Sequence, residues 1–179
     1  MTLTIAKGGP LAVPLEDLKT YLKIGLDEED AALTHLLHAA REVAERFLGH
    51  LLVARSVQEV LGVGQAWQKL AIRPVRSIGS VAGLDAEGAE FPLPVGGYAI
   101  DIDSGGTGWV RIVNAGAATR ICVTYSAGLA SSEAEVPDAL QHAIVRMAGE
   151  LHARREGLEG ELPASVAAML RPWRRMTLA

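Results

Sequence analysis

The chain has 179 residues, 49% of them apolar and 21% charged, and its 17 basic and 21 acidic side chains leave a net charge of −4. That length suits one domain, or one domain carrying an insertion, and the composition excludes a disordered or collagen-like chain. No stretch reaches the ~18 consecutive apolar residues that a membrane helix needs, and the opening MTLTIAKGGP is too short and polar for a secretory signal, so no membrane partner is expected.

Cys122 stands alone, which excludes an internal disulfide and fits assembly in a reducing compartment. The acidic balance argues against a protein whose main task is gripping nucleic acid. Charge is uneven along the chain: residues 1–50 carry 5 basic and 8 acidic groups, whereas the last fifteen hold Arg171, Arg174 and Arg175 with no acid.

Pro14 through Leu22 predicts a short helix with Glu16 and Asp17 in its first turn and Lys19 in its last, stopped by Gly25. Asp27 is expected to cap a second helix, in which Leu33, Leu36, Leu37, Ala40, Val43, Ala44 and Phe47 form one apolar stripe and Gly49 supplies the left-handed end. Short β-type runs follow at Leu52–Leu61, Trp67–Ile72, Ser77–Leu84, Tyr98–Ile102, Trp109–Val113 and Thr119–Tyr125, separated by Gly- and Pro-rich turns.

Helical period returns at Pro137, with Leu140, Ile144, Met147 and Leu151 as its stripe and Arg154-Arg155 near its end before Gly157. Glu156–Leu162 reads as a connector, and Pro163 starts a last short helix ended by Pro172. The predicted fold class is α+β. Helices over about 14–49 and 136–172 form a bundle, and an antiparallel β module over about 51–130 is inserted and projects from it, all within a single domain 1–179.

No catalytic, cofactor or metal residues emerge. His35 and His38 share a helix face with Glu42 but lack a third ligand at suitable spacing. Asp101-Ile102-Asp103-Ser104-Gly105 opens like a calcium loop, yet its twelfth position is Ile112, so a hairpin is expected. Gly105-Gly106-Thr107-Gly108 has no P-loop lysine, and Ser126 lacks the upstream glycine of a nucleophile elbow.

The exception is the tail. Leu170, Arg171, Trp173, Arg174, Arg175 and Met176 combine residue types enriched where interfaces bury anchors. Two readings of the segment 163–179 stand side by side: a frayed, solvated end, as termini commonly are, or a docking segment with Leu170 and Trp173 as apolar anchors, removable without unfolding the rest.

The order of short motifs resembles the head–tail connector (adaptor) proteins of long-tailed bacteriophages, prophages and gene transfer agents. It is carried by Leu15-Glu16-Asp17-Leu18-Lys19, Asp27-Glu28-Glu29-Asp30, Phe47-Leu48-Gly49, Arg73-Pro74-Val75-Arg76-Ser77-Ile78, Leu84-Asp85-Ala86-Glu87-Gly88 and Tyr98-Ala99-Ile100-Asp101. The clearest stretch is Val123-Thr124-Tyr125-Ser126-Ala127-Gly128 followed by Val136-Pro137-Asp138-Ala139-Leu140, although Leu129 follows the glycine where an aromatic is common in such proteins.

What the resemblance implies is a structural role without enzymatic activity or cofactor. Such subunits form a ring of about twelve beneath the portal, joining the capsid vertex to the stopper, or head-completion protein, and the tail around the DNA channel. The C-terminal segment is then expected to reach the portal, and DNA to pass without sequence-specific binding. The alternatives are another neck component, a stopper or tail terminator, which is usually β-rich throughout, or a small DNA-processing enzyme, which needs a carboxylate cluster for two metals.

Overall fold

The computed structural model describes residues 2–6, 8–94, 96–153 and 162–174. Two compact units share the chain: a β unit built from Met1–Gly9 and Ala54–Leu129, and a helical unit built from Pro10–Val53 and Ala130–Ala179. The mixed α+β class predicted from sequence is the class observed.

In the helical unit, α1 (Leu15–Leu22) follows Pro14, whose extended backbone cannot continue a helix backwards. Its end differs from expectation: the chain turns at Lys23, φ 59°, two residues before Gly25, with Ile24 N donating to Lys19 O at 3.0 Å. The paired C-terminal hydrogen bonds hold a non-glycine residue in the left-handed region.

The second helix, α2 (Asp30–Leu48), buries Leu33, Leu37, Ala40, Ala44 and Leu48, and Gly49 at φ 77° closes it through Glu45 O. Asp27 does not cap it; the N-terminal residue is Glu29, and no side chain makes a cap bond. α3 (Asp138–Ala153) begins where the Pro137 carbonyl accepts from Leu140 N and Gln141 N, and buries Leu140, Ala143, Ile144, Met147 and Ala148. α4 (Ala164–Leu170) continues as one 3-10 turn over Arg171–Trp173, so Pro172 sits inside the turn instead of ending the helix. α3 packs against α1, α2 and α4, burying one stripe of each.

Two polar anchors tie loops into this unit. Arg41, 1% exposed, donates from its guanidinium to the Pro10 carbonyl, and Glu45 Oε1 accepts from Leu52 N at 2.9 Å. Val53 and Ala130 form a parallel bridge, with Ala130 N donating to Leu52 O at 2.9 Å.

The β unit contains β1 (Thr2–Ile5), β2 (Arg55–Gly62), β3 (Gln68–Lys69), β4 (Val75–Leu84), β5 (Glu90–Pro92), β6 (Tyr98–Ile102), β7 (Gly108–Ile112) and β8 (Arg120–Ala127). They form an antiparallel five-stranded sheet ordered β1-β2-β8-β4-β5 and a three-stranded sheet β3-β7-β6. The central strand β8 buries Ile121, Cys122, Val123, Tyr125 and Ala127, and Val57, Leu70, Val110 and Ile112 complete much of the core. The strands β1 and β5 were not anticipated from sequence, and β4 carries two register shifts, between Val75 and Ser77 and between Ile78 and Ser80.

Asp103 is a turn residue, as the hairpin reading expected. Its Oδ1 accepts from Gly105 N and Thr107 N at 2.9 Å, and its Oδ2 from Trp109 Nε1 at 3.1 Å. These bonds, the Thr107 amide foremost, hold its carboxyl below the ordinary carboxylate range.

Candidate docking segment

The segment from Pro163 is built in two halves. In α4, Val166 and Leu170 point inward and are essentially inaccessible, Leu170 at 0% exposure. Leu170 therefore anchors α4 to its own helical unit and has no surface left for a partner, which corrects its reading as a docking anchor. The amphipathic period of a seven-residue helix carries an apolar stripe whichever surface it faces, so sequence alone did not separate the two.

Beyond Leu170 the character inverts. Arg171, Pro172, Trp173 and Arg174 are all exposed, Trp173 at 39%. The Arg174 guanidinium lies 5.2 Å from the centre of the Phe47 ring of α2, a cation–π contact worth about 0.5–1 kcal/mol at an exposed site. Arg171 and Trp173 flank it on the same 3-10 turn. Arg175 and Met176 lie outside the described residues, as does Glu156–Glu161 of the expected connector. The arrangement presents an aromatic ring and two guanidinium groups on an acid-free end, the chemistry of an anchor for an acidic, partly apolar surface.

At the start of the same unit, the acidic run around Asp27 has a role the sequence did not disclose. Lys19 Nζ lies 2.6 Å from Asp27 Oδ1 and 2.8 Å from Asp30 Oδ1, so one ammonium clasps the turn between α1 and α2. The hydrogen bond to Asp27, then that to Asp30, raises the Lys19 pKa against the opposing effect of desolvation, and Lys19 in turn lowers that of Asp27. An acid eight residues after a lysine across a Gly-containing turn was the available signal.

Among the described residues no group of three or more His, Cys, Asp or Glu side chains could hold a metal ion, and no helix is long and apolar enough to cross a membrane. Cys122 is a buried thiol whose pKa is raised chiefly by desolvation.

Residues 13–78 match the family described as phage gp6-like head-tail connector protein. No curated protein matches by sequence. Among solved structures, the chain is similar to one from the neck of an empty GTA particle computed with C6 symmetry, with a TM-score of 0.77 and 25% identity over 100% of this chain and 98% of that one. It is also similar to a chain from the virion of a native gene transfer agent (GTA) particle, TM-score 0.75 and 24% identity, and to one from the neck of a native GTA particle computed with C12 symmetry, TM-score 0.71 and 24% identity. Both of these likenesses also cover 100% of this chain and 98% of the other. The family match spans α1, α2 and the strands leading into β4, and the likeness in fold to a GTA neck chain spans the whole length.

Proposed function

We propose that the chain is a head–tail adaptor of a phage-like particle: about twelve copies form a ring in the neck, below the portal protein and above the stopper. The observation that carries this reading is the likeness to a neck chain over essentially the full length of both proteins. The whole chain, 1–179, acts as one connector, assembled in the bacterial cytoplasm and retained in the particle. Its role is structural and not enzymatic, in keeping with the family it matches.

The C-terminal turn docks on the portal. Trp173 seats in an apolar pocket, while Arg171, Arg174 and Arg175 face acidic portal surface with Met176 beside them. DNA passes through the ring without sequence-specific binding. Each phosphate gripped by a basic side chain adds salt-sensitive affinity, and a subunit of net charge −4 limits that drag.

Deleting the gene in a producing strain tests the assignment. The expected particles are DNA-filled heads without tails, restored by supplying the chain in trans. Tailed particles at normal yield in the deletion strain would overturn it.

A further inference from the structure

The geometry points to an interface between copies of this chain in which β1 of one copy extends the five-stranded sheet of the next by pairing with the open edge of its β4. The inference rests on the ring reading above and names the surfaces that would close it.

The two surfaces are at opposite edges of the same sheet. β1 is one edge strand, paired with β2 through Thr2↔Val60, Leu3↔Glu59, Thr4↔Gln58 and Ile5↔Val57. Ala6 N donates to Ser56 O at 3.0 Å, which fixes the alternation: residues 2, 4 and 6 bond to β2, and Leu3 and Ile5 turn their N–H and C=O groups to the open side. Thr2, Leu3 and Thr4 are exposed, Leu3 at 39%. The strand has none of the lysines, prolines or bulges with which exposed edges are normally protected.

At the other edge, β5 covers just the last part of β4, from Ala82↔Pro92 to Leu84↔Glu90. From Ser77 to Val81 that side of β4 has no ladder partner among the described residues. Beside it lies a groove of about 560 Å3, floored by Gly79, Ser80 and Val81 and walled by Phe91, Leu93 and Tyr98. Gly83 allows the wall to form: a Cβ there would come within 2.6 Å of the Phe91 ring.

The fit is in length and chemistry. Four residues of β1 meet five of β4 across the irregularity at Ile78–Ser80, the uncharged Thr-Leu-Thr-Ile strand brings no second charge beside Glu90 in a groove of mixed polarity, and Leu3 supplies the side chain for its apolar wall of Phe91, Leu93 and Tyr98. An interface joining one edge of a sheet to the opposite edge of the next copy is heterologous, which is the type a closed ring requires.

The test places a benzophenone side chain at Leu3 in the full-length chain, assembles it with its portal, and irradiates. Cross-links joining two chains and mapping to residues 79–82, 90–93 or Tyr98 are expected. Cross-links elsewhere, or confined to single chains in an assembled oligomer, would overturn the interface. Leu3→Glu, which meets Glu90 at the groove, should fold normally, still bind portal, and need at least ten times the concentration to oligomerise; unchanged oligomerisation would also overturn it. An unmodified chain that forms no oligomer even with portal would instead remove the ring reading on which the interface rests.

Discussion

The phenolic oxygen of Tyr125 donates to Glu59 Oε2 at 2.9 Å, joining two buried residues of adjacent strands. The same carboxylate oxygen accepts from Ala71 N at 2.9 Å, and the Tyr125 hydroxyl accepts from Ile72 N at 3.2 Å. One tyrosine in the Val123–Gly128 motif thus ties the central strand β8 to β2 and to the segment entering β4. Burial is the main cause of the raised Tyr125 pKa.

Tyr125→Phe removes a donor to a buried carboxylate and the acceptor of a backbone amide. The expected cost is about 1–3 kcal/mol in urea unfolding of the purified protein. The neutral phenol is favoured in the folded state, so its contribution is complete below the unfolded pKa of about 10 and is lost as pH rises above it. The difference between wild type and variant should therefore narrow in alkaline solution.

Lys19→Met breaks the clasp on Asp27 and Asp30, and a lower Tm at neutral pH is expected. The Asp27 carboxyl has a depressed folded pKa, so its contribution is present above the unfolded value of 3.8 and lost as pH falls through the lower folded value. The Lys19 ammonium, with a raised folded pKa, loses its contribution as pH rises above 10.5. Thermal melts across pH should show the variant and wild type converging at both extremes and farthest apart between them.

Leu170 and Trp173, three residues apart, should separate stability from attachment. Leu170→Ala opens a cavity in the helical unit at a cost of about 2–5 kcal/mol. Trp173→Ala should leave the Tm nearly unchanged and weaken portal binding by about 2 kcal/mol or more, beyond the effect of Arg171→Ala or Arg174→Ala. Removing residues 163–179 strips both Val166 and Leu170 from the core and destabilises the protein, so the informative truncation is 171–179. That truncation should retain a cooperative melt and lose portal binding in a pull-down.

A strand pair of four or five residues buries far less than the ~1,200 Å2 of a stable interface. Light scattering on the isolated protein should find a monomer or a weak, concentration-dependent oligomer, with portal supplying the template for the closed ring. A stable closed ring without portal would exclude templating.

Sequence pattern captured what rests on local periodicity or backbone geometry. The α2 stripe and its end at Gly49 follow from a 3.6-residue period and a position that tolerates positive φ. β6 lies at Tyr98–Ile102 as expected because turn residues bound it on both sides. What escaped depends on distant partners. β1 and β5, four and three residues long, are strands by virtue of β2 and β4. Asp27 looked like a cap because its ionic partner Lys19 is visible only when the α1–α2 turn is folded. At the C-terminal end, residue type did not separate the exposed Arg171, Trp173 and Arg174 from the buried Leu170, and the Arg174–Phe47 contact needed tertiary structure.

The Val53–Ala130 bridge has an architectural consequence. Neighbouring strands lie about 5 Å apart, a gap that a tight turn of a few residues spans. The 76 residues from Ala54 to Leu129 thus leave and rejoin the helical unit at adjoining points, as a cassette does. Replacing them by such a turn would let the helical half close on itself, its anchors Arg41–Pro10 and Glu45–Leu52 intact. A chain spliced in this way can exchange residues 54–129, by recombination or by design, while keeping the helices and the terminal Trp173 turn of the original, provided the incoming segment supplies an edge for β1 to pair with.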